Sequence, residues 1–260
     1  VLFLVQGFLV RKIIGLFFAC LAALSGEALS QTVVPQELMR EVRTTVALNR
    51  LSAERVLLAI DHALDTAGYA LKITNNDRVI HEEFREIAER LPGVRAVIAI
   101  NGLGNLAVDS YTYPTPTLHL GDREYVIAAR SRLGLHIGAT QKGRTSGVPF
   151  LPVSKQVGDY VIAAIVSPHF LIHEEGRCFD CVSALMREDG SIIASFPPAA
   201  DIPNHVLSLP LINKSIEGNS TTLFSKTESI IAWRRSELYP VVVLGARGLR
   251  SSALTSVDDR

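Results

Sequence analysis

The residues with the most chemical potential crowd into one stretch, 121–157. There Arg123, Arg130, Arg132, Lys142, Arg144 and Lys155 stand against only Asp122 and Glu124. The chain as a whole balances 26 basic against 26 acidic residues, so this surplus is local. Tyr125 and His136 are interleaved with it, and glycines stand at 134, 138, 143 and 147. Arg offers a planar fork to a carboxylate and Lys a point charge. Basic side chains on strands and a short helix therefore supply what an anion pocket requires. Arg123 and Tyr125 are the leading ligand-binding candidates, with Arg144 and Lys155 behind them. For any one of these residues the alternative is a cation on a solvated face.

Other chemistry is incomplete. Asn101–Asn105 contains Gly-x-Gly, but a strand follows it, so no helix N-terminus is offered to a pyrophosphate and a hairpin turn is expected. The Ser146 region, "KGRTSG", is neither a phosphate-binding loop nor a nucleophile elbow. His169 and His173 stand four apart, a spacing that puts two imidazoles on one helix face. No Glu lies between them, however, and a solvated linker is the plainer reading. No metal, cofactor or catalytic constellation is expected, and the chain is read as a non-enzyme. Neutral net charge argues against nucleic acid as a partner.

Position in the cell is set by the N-terminus. Arg11 and Lys12 precede about twelve apolar residues, and "SGEALSQ" follows. That layout is a signal peptide or a membrane anchor of marginal length. Either places the chain after residue 31 outside the cytoplasm. There the lone Cys178-x-x-Cys181 pair reads as a local disulfide; with only Cys20 besides, a zinc site lacks ligands. A redox role lacks the helix N-terminus that lowers a thiol pKa.

The elements that position these residues follow from periodicity. Apolar residues at Val34, Leu38, Val42 and Val46, then Leu57, Ile60, Leu64 and Leu71, describe one long helix from Thr32, or two helices broken near Asn49–Ser52. "NND" at 75–77 ends this pattern, and His81–Arg90 resumes it. Strand Ala96–Ile100, a Gly/Asn turn and strand Leu106–Val108 come next, then a short helix at Asp122–Arg130 and three strand candidates up to Ser167. The strand–turn–strand phrase returns at 182–196 and opens a second, shorter set of strands. The pattern is α+β: an N-terminal membrane segment, a long stalk helix and two tandem modules with antiparallel sheets.

In this order, the long helix, "LPGVRAVIAINGLGNLAVDS", "GDREYVIAARSRLGLHIGATQKGRTSGVPFLPVSK", "DYVIAAIVSPHFL" and "ALMREDGSIIASFP" resemble the double Cache sensors. These are PAS-like extracytoplasmic ligand-binding regions of bacterial histidine kinases, diguanylate cyclases and chemoreceptors. The resemblance implies an anchor at 1–31, a stalk at 32–80, a membrane-distal module at 81–171, a membrane-proximal module at 172–250 and a tail at 251–260. "DREYVIAA" is similar to the Arg-x-Trp-Tyr-x-x-Ala pattern of amino-acid-binding members. Arg123 takes the carboxylate-binding place, Tyr125 the Trp place and Ala129 the Ala place, while Val126 departs from the second aromatic. The strand that carries an amine-binding Asp in those sensors reads "VIAAIVS" here. The resemblance therefore implies a small anion or organic acid as ligand rather than an amino acid, sensed by a membrane-bound signalling protein whose output domain is absent from these residues. A stalk helix favours a homodimer. The alternative is a secreted periplasmic binding protein with a cleaved leader.

Overall fold

A computed structural model describes residues 36–144, 146–172, 178, 180–198, 202, 215–224 and 226–249. The N-terminal segment, His173 and the 251–260 tail lie outside the described residues. The described residues all belong to one compact unit.

Helix α1 runs without a break from Gln36 to Ile73, 38 residues or roughly 57 Å. Its buried side chains include Val42, Val46, Asn49, Ala53, Leu57, Ile60, Leu64 and Ala67, steps of three and four that keep one stripe facing inward. The stripe passes through Asn49–Ser52, where two helices were the alternative. Along its whole length α1 packs on sheet, so the expected stalk is the spine of the domain. Asn76 then caps α2 (Asp77–Arg90) by accepting from the Arg78 and Val79 amides. Ile80, Phe84 and Ile87 of α2 join the same core.

Two antiparallel sheets stack along this spine. The first sheet in chain order is termed distal for its place on the C-terminal half of α1, and the second proximal for its place on the N-terminal half. The distal sheet holds β1 (Val94–Ile100), β2 (Leu106–Asp109), β3 (His136–Ile137), β5 (Pro149–Val157) and β6 (Tyr160–Val166) in the order β2-β1-β6-β5-β3, with β4 (Gln141–Lys142) also pairing β5. The proximal sheet holds β7 (Cys181–Arg187), β8 (Ile192–Phe196), β9 (Glu217–Phe224), β10 (Thr227–Arg235) and β11 (Val241–Gly248) in the order β8-β7-β11-β10-β9. In each, the opening hairpin forms one edge and the last strand sits at the centre against the first. The repeated phrase is thus one structural unit used twice. Both hairpins turn on a glycine of positive φ, Gly104 and Gly190, and both slip register once, at Ala99/Ile100 and at Leu185/Met186. Helix α3 (Glu124–Ser131) follows the first hairpin in the chain and packs on the sheet of β1, β5 and β6.

Strand alternation gives each sheet two faces. The faces toward α1 share one core: Val97, Ala99, Leu151, Val153 and Ile162 from the distal sheet, and Leu185, Ala194, Ala232, Val241 and Val243 from the proximal one. Each opposite face has a core of its own. Ile98, Ile100, Leu120, Tyr125, Val126, Ala129, Val161 and Ala163 fill the distal one, and Met186, Phe224, Ile231, Trp233, Val242 and Leu244 are among those of the proximal one. Two glycines let α1 come close. A Cβ on Gly68 would lie 2.3 Å from Val157 Cγ1, and one on Gly245 would lie 2.8 Å from Val46 Cγ2. The N-terminal half of α1 therefore docks the proximal sheet and its C-terminal half the distal one.

Polar ties follow the same division. Both carboxylate oxygens of Glu54 accept from the one nitrogen Arg50 Nη1 (2.8 and 2.9 Å), and Oε1 also accepts from Ser236 Oγ at 2.7 Å, beside the β10–β11 turn. Lys155 of β5 donates to Asp61 and Asp65 of α1, each at 2.9 Å.

Candidate functional site

The site is built on the first turn of α3, and two polar residues of the distal sheet hold that turn. Ser154 Oγ donates to the Tyr125 carbonyl at 2.9 Å, and His136 Nε2 donates to Glu124 Oε1 at 2.9 Å. Ser154 and His136 are cross-strand partners on the face away from α1, so one row of the sheet fixes two successive residues of the helix. Both are buried. Burial pushes the His136 pKa below its ordinary value, and the Glu124 carboxylate opposes that shift. The imidazole is accordingly held neutral, with Nε2 protonated toward the carboxylate.

The backbone of Arg123 is extended (φ −74°, ψ 139°), and its carbonyl accepts from the Val126 and Ile127 amides to start α3. Its Nη1 donates to Gln141 Oε1 of β4 at 3.1 Å, a neutral partner that leaves the charge uncancelled. Arg144 donates to the His119 carbonyl at 2.7 Å and pairs with the Asp122 carboxylate. That bond holds the Asp122 pKa below the usual carboxylate range. Tyr125 is only 2% exposed. Its burial drives the phenol to about 12, while Arg123 and Arg144 pull it down and Asp122 raises it. The Tyr125 side chain therefore lies in the field of all three charges.

Arg123, Tyr125 and Arg144 thus come together, joined by Asp122, Gln141 and His119. Lys155 does not belong with them, which corrects its grouping in the sequence. On β5, Leu151 and Val153 face α1 whereas Ser154 faces α3, and alternation turns Lys155 toward α1. Its ammonium is desolvated, but Asp61 and Asp65 outweigh that cost and raise its pKa. Arg130 reaches the Asn101 carbonyl in the β1–β2 turn at 2.7 Å, while Arg132 and Lys142 are exposed. The basic surplus is therefore divided by the fold. One part lies at α3, one part ties α1, and the rest is at the surface.

Sequence reading missed Gln141, Ser154 and the His136–Glu124 pair. Only Ser154 left a trace, as a polar residue at a core position in an apolar strand. Cys178 and Cys181 are joined as a disulfide with Cα atoms 5.5 Å apart. His169 lies against Phe170 with the rings tilted, centroids 4.5 Å apart. Among the described residues no three His, Cys, Asp or Glu side chains gather to hold a metal. No helix of the described residues is long and apolar enough to cross a membrane.

No protein-family model matches the chain, and no curated protein matches it by sequence. Solved structures do. The extracellular domain of the histidine kinase rpHK1S-Z16 superposes with a TM-score of 0.69 at 23% identity, covering 85% of this chain and all of that one. The ligand-binding domain of the Pseudomonas fluorescens chemoreceptor CtaA, in complex with L-isoleucine, gives 0.62 at 10% identity over 85% of this chain and 97% of that one. A domain of a sensory box/GGDEF family protein from Vibrio parahaemolyticus gives 0.57 at 14% identity over 82% and 97%. The chain has the fold of these extracellular sensor domains, with tandem sheets on one long helix.

Proposed function

We propose that this chain is the extracytoplasmic sensor region of a membrane-bound signalling protein, without catalysis of its own, and that it binds a small organic anion at Arg123, Tyr125 and Arg144. One observation carries the reading. At the start of α3, Arg123 is bonded to a neutral amide beside a buried tyrosine, and a second arginine lies within the same field. Such a guanidinium is free to meet a carboxylate with a planar fork. Chemoreceptor domains of the same fold hold amino acids, L-isoleucine among them, and every amino acid carries a carboxylate. The two acids nearest this cluster are engaged, Asp122 by Arg144 and Glu124 by His136. A carboxylate without an ammonium group is the better match.

Residues 1–31 serve as the anchor in this reading. N-terminal sequencing of exported protein would sink that part if the chain began near Gln31. Dimerisation runs along the exposed edge of α1, where Leu48, Leu51, Leu58 and Tyr69 stand out of the core at spacings that fit a two-helix seam. Sedimentation of the protein against a Leu51→Glu, Leu58→Glu variant tests it, and a wild-type monomer at all concentrations would end it.

The test of the site is a thermal-shift and calorimetric screen of the chain against small carboxylates, amino acids and inorganic anions. One carboxylate should raise the melting temperature with dose, and Arg123→Ala should abolish the rise. Lys155→Ala should leave it in place. A folded protein indifferent to the whole panel, or binding that survives Arg123→Ala, would refute the site.

A further inference from the structure

The Cys178–Cys181 disulfide lies beside a cation. Cys181 opens β7 and is the register partner of Arg247 on β11. The Arg247 side chain reaches Cys178, with Nη1 4.0 Å from its Sγ. The same nitrogen pairs with Glu41, in the second turn of α1. Both cysteines are part-buried against the core shared by the two sheets. The bond spans a sequence separation of only three, so it removes far less chain entropy from the unfolded state than a long-loop disulfide would. Asp180, inside that short loop, is held at φ 61°, a conformation uncommon for a residue other than glycine. A bond that constrains so little chain, yet has a guanidinium on one sulfur, has the layout of a reactive couple.

We propose that Cys178–Cys181 is a reversible dithiol–disulfide site whose state is passed to α1 through Arg247 and Glu41, with a small or protein dithiol as its reductant. The external thiolate attacks Cys181 Sγ and forms a mixed disulfide there. The Sγ–Sγ bond breaks, and Cys178 leaves as a thiolate facing Arg247. The second thiol of the reductant, as its thiolate, then attacks its own sulfur in the mixed disulfide and releases Cys181. The reductant ends as a disulfide; two electrons have passed to the protein, and the protons come from the reductant's two thiols. The cation beside the departing sulfur stabilises the leaving group, which speeds the first step. It also gives Arg247 a second anion, so Glu41 loses part of its partner and the first turns of α1 loosen. This input does not rest on the anion site at α3.

The experiment follows reduction of the whole 260-residue chain by dithiothreitol under native conditions. Alkylation and peptide mapping read Cys178 and Cys181 separately from Cys20. Arg247→Gln should slow reduction about three- to tenfold, whereas Arg247→Lys should stay near wild type. In Cys181→Ser, whose native Arg247 faces a free Cys178, the pH midpoint for alkylation should fall below the ~8.5 of an ordinary thiol. Reduction should also raise hydrogen exchange in Gln36–Leu48. The proposal is overturned if the bond reduces only in denaturant, if Cys178 titrates at or above the ordinary value, or if exchange in α1 ignores the redox state.

Discussion

One cross-strand row shows how the two sheets diverge. In the distal sheet the row on the face away from α1 reads Ile98, Ala163, Ser154, His136. The corresponding row of the proximal sheet reads Ala184, Leu244, Trp233, Gly218. Strand order and hairpin geometry are shared; the chemistry of the row is not. The proximal row is filled by Trp233, which lies over Gly218 so tightly that a Cβ there would be 2.2 Å from the indole. The distal row ends in a hydroxyl and an imidazole, and these hold α3 and its arginine. The same face serves packing alone in the proximal sheet, whereas in the distal sheet it holds the helix on which the proposed site stands.

The largest effect should come from the core that both sheets share. Ile162→Ala and Leu185→Ala should each cost about 2–5 kcal/mol, measured by urea unfolding. Because α1 spans both sheets, each variant should still unfold in one transition; two separate transitions would show that the copies are independent. Next comes a comparison of the ties. Glu54→Ala leaves Arg50 buried with its partner gone (side chains 15% and 10% exposed), at a cost of about 3 kcal/mol. Asp61→Asn leaves Lys155 with Asp65 and should cost about 1 kcal/mol or less, as for a partly exposed pair. Equal losses would mean that the Glu54 cluster, a pair within α1 plus the Ser236 bond, is no better shielded from water than the Lys155 tie.

A smaller and more specific effect is pH dependence. The folded pKa of His136 lies below its ordinary value of 6.5, so the unfolded chain takes up the proton first as pH falls. Stability from this group is complete above about pH 6.5 and declines below it. Among the described residues the proximal sheet carries no histidine. Hydrogen exchange at pH 5.5 should therefore rise first in β3, β5 and α3, and His136→Gln should flatten the response. The smallest effect is expected from Arg123→Ala, within about 0.5 kcal/mol of wild type in stability, although it should abolish the proposed anion binding.

Much of this architecture was legible in the sequence. The apolar runs at 96–100 and 159–167 were legible as strands, and the repeated phrase as two sets of strands, because a hairpin turn leaves a local mark in glycine and asparagine. Apolar steps of three and four along α1 gave a long helix. The helix was legible as an element but not as a spine, since a periodic stripe does not name what it packs against. Of the two short strands, β3 lies inside the strand expected at 135–140 and β4 was not expected, because two-residue strands carry no period.

The candidate site divides along the same line. Residue type and local spacing determined that Arg123 and Tyr125 stand at the head of a short helix, and that Cys178 and Cys181 are close enough to bond. Only the tertiary structure decided which cations share a face. Lys155 and Ser154 are neighbours in sequence, yet the pleat sends them to opposite sides of the sheet, one to the carboxylates of α1 and one to α3. The ionic partners of these residues lie far away in the chain, Asp61 94 residues from Lys155 and Glu41 206 from Arg247. Composition records how many charges a chain has; only the fold determines which of them meet, because electrostatic and hydrogen-bond energies depend on distances that sequence separation does not encode.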